Sequence, residues 1–105
     1  ERYKMWDDST YYNNLGAAYA KNKQFKEAKQ SFSIYERKFP NEGRVFRNWA
    51  MYYALQDEKE KAIEQLKKAI ELGYNDIEWF ETDDSINNLR KEKEFQILMK
   101  ILKKE

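Results

Sequence analysis

Tyr12-Asn13-Asn14-Leu15-Gly16-Ala17-Ala18-Tyr19 and, 34 residues later, Phe46-Arg47-Asn48-Trp49-Ala50-Met51-Tyr52-Tyr53 decide how this chain folds. Both stretches carry large apolar residues at their first, fourth and eighth positions and a small one at the fifth. The spacing i, i+3, i+4, i+7 places all four on one face of a helix. The same shift lays Ala28 on Ala62 and Phe32 on Leu66. Size is kept at six positions, large on large and small on small, which marks an internal repeat. A second shift carries Phe46 onto Phe80, and the pattern then fades at Asp83 and Asp84.

Working outward, each unit reads as two helices. Ser9, after Asp7 and Asp8, suits the N-cap of the first. Asn22 and Lys23 mark a turn, and a second helix runs from about Phe25 with Ala28, Phe32 and Tyr35 on its inner face. Pro40 and Gly43 punctuate the junction. The pattern then recurs: a helix from Val45 to about Gln56, a charged turn at Asp57, and a helix from Lys59 to Leu72. Gly73 reads as a helix C-terminal residue, followed by Tyr74-Asn75-Asp76 as a turn and a new cap. Small residues, Gly16 with Ala28 and Ala50 with Ala62, let paired helices approach closely while aromatic rings fill the space beside them. No segment alternates with period 2 for long enough to make a strand.

Composition narrows the chemistry. The 105 residues include 20 basic and 19 acidic side chains, no Cys and no His, with 16% aromatic and 37% charged. Disulfides, thiolate zinc sites, Cys nucleophiles and His-based triads are therefore impossible within this chain. A net charge of +1 lacks the electrostatic footprint of a nucleic-acid binder. Disordered chains are poor in aromatics, so this one is expected to fold. No apolar run reaches the length of a membrane span and no signal peptide is visible, which gives the expectation of a soluble chain without membrane insertion. Absence of Cys suits cytoplasm and periplasm alike. The chain opens on Glu1 rather than Met, and reads as a piece of a longer protein.

Residues 9–74 resemble the tetratricopeptide repeat family, whose 34-residue units carry a large residue, Leu and a small residue, then Tyr, Ala, an aromatic, Ala and Pro. The first unit shows Tyr12, Leu15-Gly16, Tyr19, Ala28, Phe32, Tyr35 and Pro40; the second shows Phe46, Trp49-Ala50, Tyr53, Ala62, Leu66 and Ala69. Tyr35 stands where a small residue is usual, which implies looser packing there, and Tyr74 stands where Pro is usual. Residues 77–105 are similar to the end-of-group segment that closes many bacterial arrays of this kind, through Asp83, Ile86, Leu89-Arg90, Phe95 and Leu98, though without its prolines. A stack of helices needs such an end to cover its last apolar face. Phe95, Leu98, Met99 and Leu102 form one stripe for that purpose, with Lys93, Lys100, Lys103 and Lys104 on other faces.

The expected architecture is all-α: a right-handed solenoid of two tetratricopeptide hairpins, at 9–42 and 43–76, with a helical cap at 77–105. Residues 1–8 would form an arm or the end of a preceding helix, with Tyr3, Met5 and Trp6 covering the open side.

The resemblance implies a non-catalytic protein–protein interaction module whose first helices line a concave groove for a peptide or partner domain. That groove would show Asn13, Ala17 and Lys21, beside Thr10 and Ala20, from the first unit. The second unit would add Arg44, Arg47, Asn48, Met51 and Leu55. Arginine forks suit carboxylates, and Met adapts to varied apolar groups. Members that clamp the acidic tails of heat-shock chaperones need Lys, Asn, Asn, Lys and Arg where this chain has Asn13, Ala17, Asn48, Glu78 and Thr82. One match in five, with a reversed charge at Glu78, argues against that clamp.

No catalytic, cofactor or metal site is expected. The carboxylates Glu78, Glu81, Asp83 and Asp84 read as capping groups and a solvated turn. Tyr11, Tyr12, Trp49, Tyr52 and Tyr53, with Arg44 and Arg47, are the residue types of base stacking, but three of those rings fall on core positions of the repeat. Nucleic acid is therefore not an expected partner. The alternatives are an assembly role, by docking on an upstream domain or by self-association, and an accessory domain of a larger protein, such as an enzyme.

Overall fold

A computed structural model describes residues 8–104 of the chain, and every regular element among them is helical. The order is α1 (Asp8–Lys21), α2 (Phe25–Lys38), α3 (Gly43–Leu55), α4 (Lys59–Glu71), α5 (Ile77–Thr82), a 3-10 segment (Asp84–Leu89) and α6 (Lys93–Lys104). The arm expected over residues 1–8 lies outside the described residues except for Asp8. That residue and Ser9 both sit within α1, so Ser9 is a helical residue rather than a cap.

α1 packs on α2 and α3 on α4 as hairpins, and α1 and α2 both pack on α3. The two hairpin turns are built alike. Gln24 N–H donates to the Tyr19 carbonyl at 2.8 Å, and Glu58 N–H to the Tyr53 carbonyl at 2.9 Å. Lys23 and Asp57, again 34 residues apart, both take left-handed backbone, φ 65° and 62°. Helix C-termini end this way because it returns a free N–H to an unpaired carbonyl. Gly73 does the same after α4 at φ 98°, as its position implied.

The nearest neighbour of Gly16 inside the first hairpin is the Phe32 ring. A Cβ on Gly16 would lie 2.3 Å from the Phe32 ring. Gly16 is needed because its neighbour is a phenyl ring; at the equivalent positions the second hairpin has Ala50 and Leu66. Volume removed from one helix is returned on the other. Tyr35 loosens nothing: it is fully buried, and its hydroxyl donates to Glu42 Oε1 at 2.6 Å.

The larger apolar core joins the second hairpin to the terminal elements. Leu66 and Ile63 share it with Phe80, Ile86, Leu89, Phe95 and Leu98. The α6 stripe is thus buried as its spacing required, with Met99 at its edge. Arg90 secures the join: it donates to the carbonyls of Phe80 and, at 2.8 Å, Asp83. A smaller core of Ala20, Ala28 and Phe32 lies in the first hairpin, with Trp49 and Tyr52 of α3 packed against it. The molecule measures 47 × 30 × 21 Å.

Candidate functional site

Helical spacing puts Asn13, Ala17 and Lys21 on one stripe of α1, and Arg47, Met51 and Leu55, with Asn48 beside Arg47, on one stripe of α3. The structure brings the two stripes together and adds a third line of residues, from Tyr74 through α5 to Asp83.

At one end of this face stands a polar cluster. Arg47 Nη2 donates to Asn13 Oδ1 at 2.8 Å and to Asn48 Oδ1 at 2.7 Å. Its Nη1 donates to the Tyr74 hydroxyl at 3.2 Å. Asn48 Nδ2 closes the ring of bonds on Asn13 Oδ1 at 2.7 Å. The guanidinium also lies 5.6 Å from the Tyr74 ring centre and 5.3 Å from that of Trp79, within cation–π range. Burial holds the Tyr74 hydroxyl above its ordinary pKa against the opposing pull of Arg47.

This geometry corrects the expected groove. Asn48 is 0% exposed, Met51 2% and Asn13 9%, so their side chains pack inside instead of facing an open channel. Arg47 is not a free fork at a rim, because Asn13, Asn48 and Tyr74 already take its donors. Arg44 is exposed and has no hydrogen bond or ion pair among the described residues.

The other end of the face is open. Lys21 reaches from α1 to Asp83 Oδ2 at 3.4 Å. Lys21, Leu55, Thr82, Asp83, Asp84 and Ser85 line a depression of about 470 Å³. Asp83 also accepts from Ser85 N–H at 2.9 Å and from the Ser85 hydroxyl. Burial pushes its pKa up, but the Ser85 hydrogen bonds and the Lys21 charge outweigh burial and hold it below the usual carboxylate value. Ala17 is half-buried on the stripe between Asn13 and Lys21.

Of the other carboxylates, Asp76 caps as its position implied, whereas Glu81 forms an ion pair in place of the expected cap or solvated turn. Asp76 caps α5 through Trp79 N–H at 3.2 Å, and Glu81 pairs with Lys103 at 2.7 Å. Among the described residues no group of three acidic side chains is placed to hold a metal ion, and no helix is long and apolar enough to cross a membrane.

A second concavity escaped the sequence reading. α2, α3 and α4 enclose a cleft of about 500 Å³ whose lining includes Lys29, Phe46, Trp49, Tyr53, Gln65 and Lys68. Trp49 and Tyr53 had been assigned to the core, yet both are only half-buried. The available signal was on α4, where Lys61, Gln65 and Lys68 recur at i, i+4, i+7 on one polar face. Comparison with protein-family models, with curated proteins and with solved structures finds no match for this chain.

Proposed function

We propose that this chain is a non-catalytic interaction module of the tetratricopeptide type: two right-handed stacked hairpins and a terminal cap that hold a peptide or partner domain along the α1–α3–α5 face. The observation that carries this reading is the side-by-side tethering of those elements. The Arg47 cluster fastens one end and Lys21–Asp83 bridges the other. Between them lies a strip with small and apolar residues, Ala17 and Leu55, and with hydrogen-bonding and charged groups at its open end. A preformed strip of this kind lowers the ordering cost of binding an extended segment. Repetition of the hairpin turn at a 34-residue interval supports the family reading.

The test is selection from a displayed peptide library, followed by Leu55→Arg and Ala17→Arg. Both substitutions place a long cation on the face while leaving the Arg47 cluster intact. Selected peptides should lose most of their affinity for either variant, with helical circular dichroism unchanged. Peptides that bind both variants as well as the parent would remove this face from consideration.

A second reading, assembly through self-association, is favoured by α6. Ile97 and Ile101 are 50% and 49% exposed, one turn apart on its outer side. Sedimentation would show a concentration-dependent dimer abolished by Ile97→Glu with Ile101→Glu. A strict monomer at high concentration would end that reading.

A further inference from the structure

We infer that the cleft between α2, α3 and α4 is a separate docking site, for an acidic peptide segment that carries a large apolar side chain. It lies on α2, α4 and an aromatic side of α3, and none of its lining residues belongs to the face described above.

The floor supplies the apolar part. Phe46, Trp49 and Tyr53 are half-buried, and the volume of about 500 Å³ is within the range of pockets that enclose ligand groups. The rim supplies the charge. Its two carboxylates are already engaged: Glu36 accepts from the Trp49 indole N–H at 2.8 Å, and Glu58 pairs with Lys61 at 3.1 Å. Its other cations, Lys29 and Lys68, have no ion-pair partner among the described residues. Lys29 is exposed and has no hydrogen bond or ion pair among the described residues. Lys68 sits over the Phe46 ring at 5.1 Å and makes no hydrogen bond or ion pair among the described residues. Gln65 and the Tyr53 hydroxyl are likewise without a hydrogen-bond acceptor among those residues. A cleft with spare donors, two ammonium groups without a carboxylate partner and an aromatic floor complements carboxylates flanking an apolar group.

The same features disfavour a nucleic acid. Trp49 meets Tyr52 at 87° and Tyr52 meets Tyr53 at 78°, and the two floor rings Trp49 and Tyr53 are tilted by 33° with centres 6.4 Å apart, so the cleft offers no run of parallel platforms for successive bases.

Fluorescence anisotropy with a labelled peptide of alternating Glu and Phe tests the inference on the whole chain. The peptide should bind at low ionic strength and weaken as salt is added. Lys29→Glu with Lys68→Glu, both surface changes, should lower its affinity by about tenfold or more, because two attractive contacts become repulsive. Ala17→Arg, on α1 and outside the cleft lining, should leave it unchanged. Absence of binding, equal binding by the double lysine variant, or tighter binding of oligouridylate through the same lysines would each overturn the assignment. Loss of binding in Ala17→Arg alone would overturn it too, while leaving the α1–α3–α5 face standing.

Discussion

Truncating Asn48 to alanine should damage this protein far more than any neighbouring polar change. The side chain is fully buried and joins α1 to α3. Its Oδ1 accepts from Arg47 at 2.7 Å and 3.3 Å, and its Nδ2 donates to Asn13 at 2.7 Å. Hydrogen bonds to a charged group contribute about 1.5–3 kcal/mol and neutral ones about 1 kcal/mol. Counting the two Arg47 contacts as one shared bond, and adding about 1 kcal/mol for the void, Asn48→Ala should cost about 3.5–5 kcal/mol. At an unfolding entropy of about 2.1 cal/mol/K per residue, that is a fall in Tm of about 20 °C. Urea titration and thermal circular dichroism would measure both. Arg44→Ala, three residues before Arg47 and exposed, is the control and should change stability by less than about 0.5 kcal/mol. Asn13→Ala combined with Asn48→Ala should cost less than the sum of the single changes, because they share one network. A loss below about 1 kcal/mol for Asn48→Ala, or strict additivity of the pair, would refute the claim that this cluster holds the face together.

Gly16→Ala should destabilise by about 1–3 kcal/mol despite alanine's better helix propensity, since its Cβ meets the Phe32 ring at 2.3 Å. Adding Phe32→Leu, which copies the Ala50 and Leu66 arrangement, should recover part of that loss in chemical denaturation; no recovery would reject the volume exchange. At low pH, Asp83 should matter. Its native pKa lies below the ordinary 3.8, so its contribution is complete above that value and is lost as pH falls through the native one. The acid limb of a urea-midpoint profile should flatten in Asp83→Asn, and an unchanged limb would contradict the Ser85 and Lys21 contacts. At high pH the sign reverses. Burial raises Tyr35, with Glu42 adding to it, and burial raises Tyr74, both from an ordinary 10.0, so stability is complete below pH 10 and declines above it. Ultraviolet phenolate titration should show these rings ionising only with unfolding, and simultaneous ionisation of all 8 tyrosines in a folded chain would count against it.

The helices were legible because their signals are local and periodic. Tyr12, Gly16 and Tyr19 recur at Phe46, Ala50 and Tyr53, and the hairpin turns follow from charged breaks between them. The Arg47 cluster was not legible in the same way. Its members interrupt the repeat: Asn13 is the equivalent of Arg47, and Asn48 is the equivalent of the exposed Asn14. A polar residue read one at a time looks like a groove lining, and only the meeting of α1, α3 and Tyr74 shows that Asn48 is interior. The lysine-rimmed cleft was missed for a related reason. Trp49 and Tyr53 do pack on buried neighbours, as core positions should, but each ring has a second side, and the gap it faces is set by the separation of α2 from α4.

Stacks of helical hairpins often unfold piecemeal, because each unit touches only its neighbours. Here Asn13, Arg47 and Tyr74 lie on three successive segments of the stack and share one guanidinium. Fraying of the first hairpin would strip Arg47 of an acceptor, and release of the α4–α5 junction would strip it of another. The amides of α1 and α3 should therefore exchange with solvent as one cooperative block, at a rate governed by global opening and not by the end of the chain to which they are nearest.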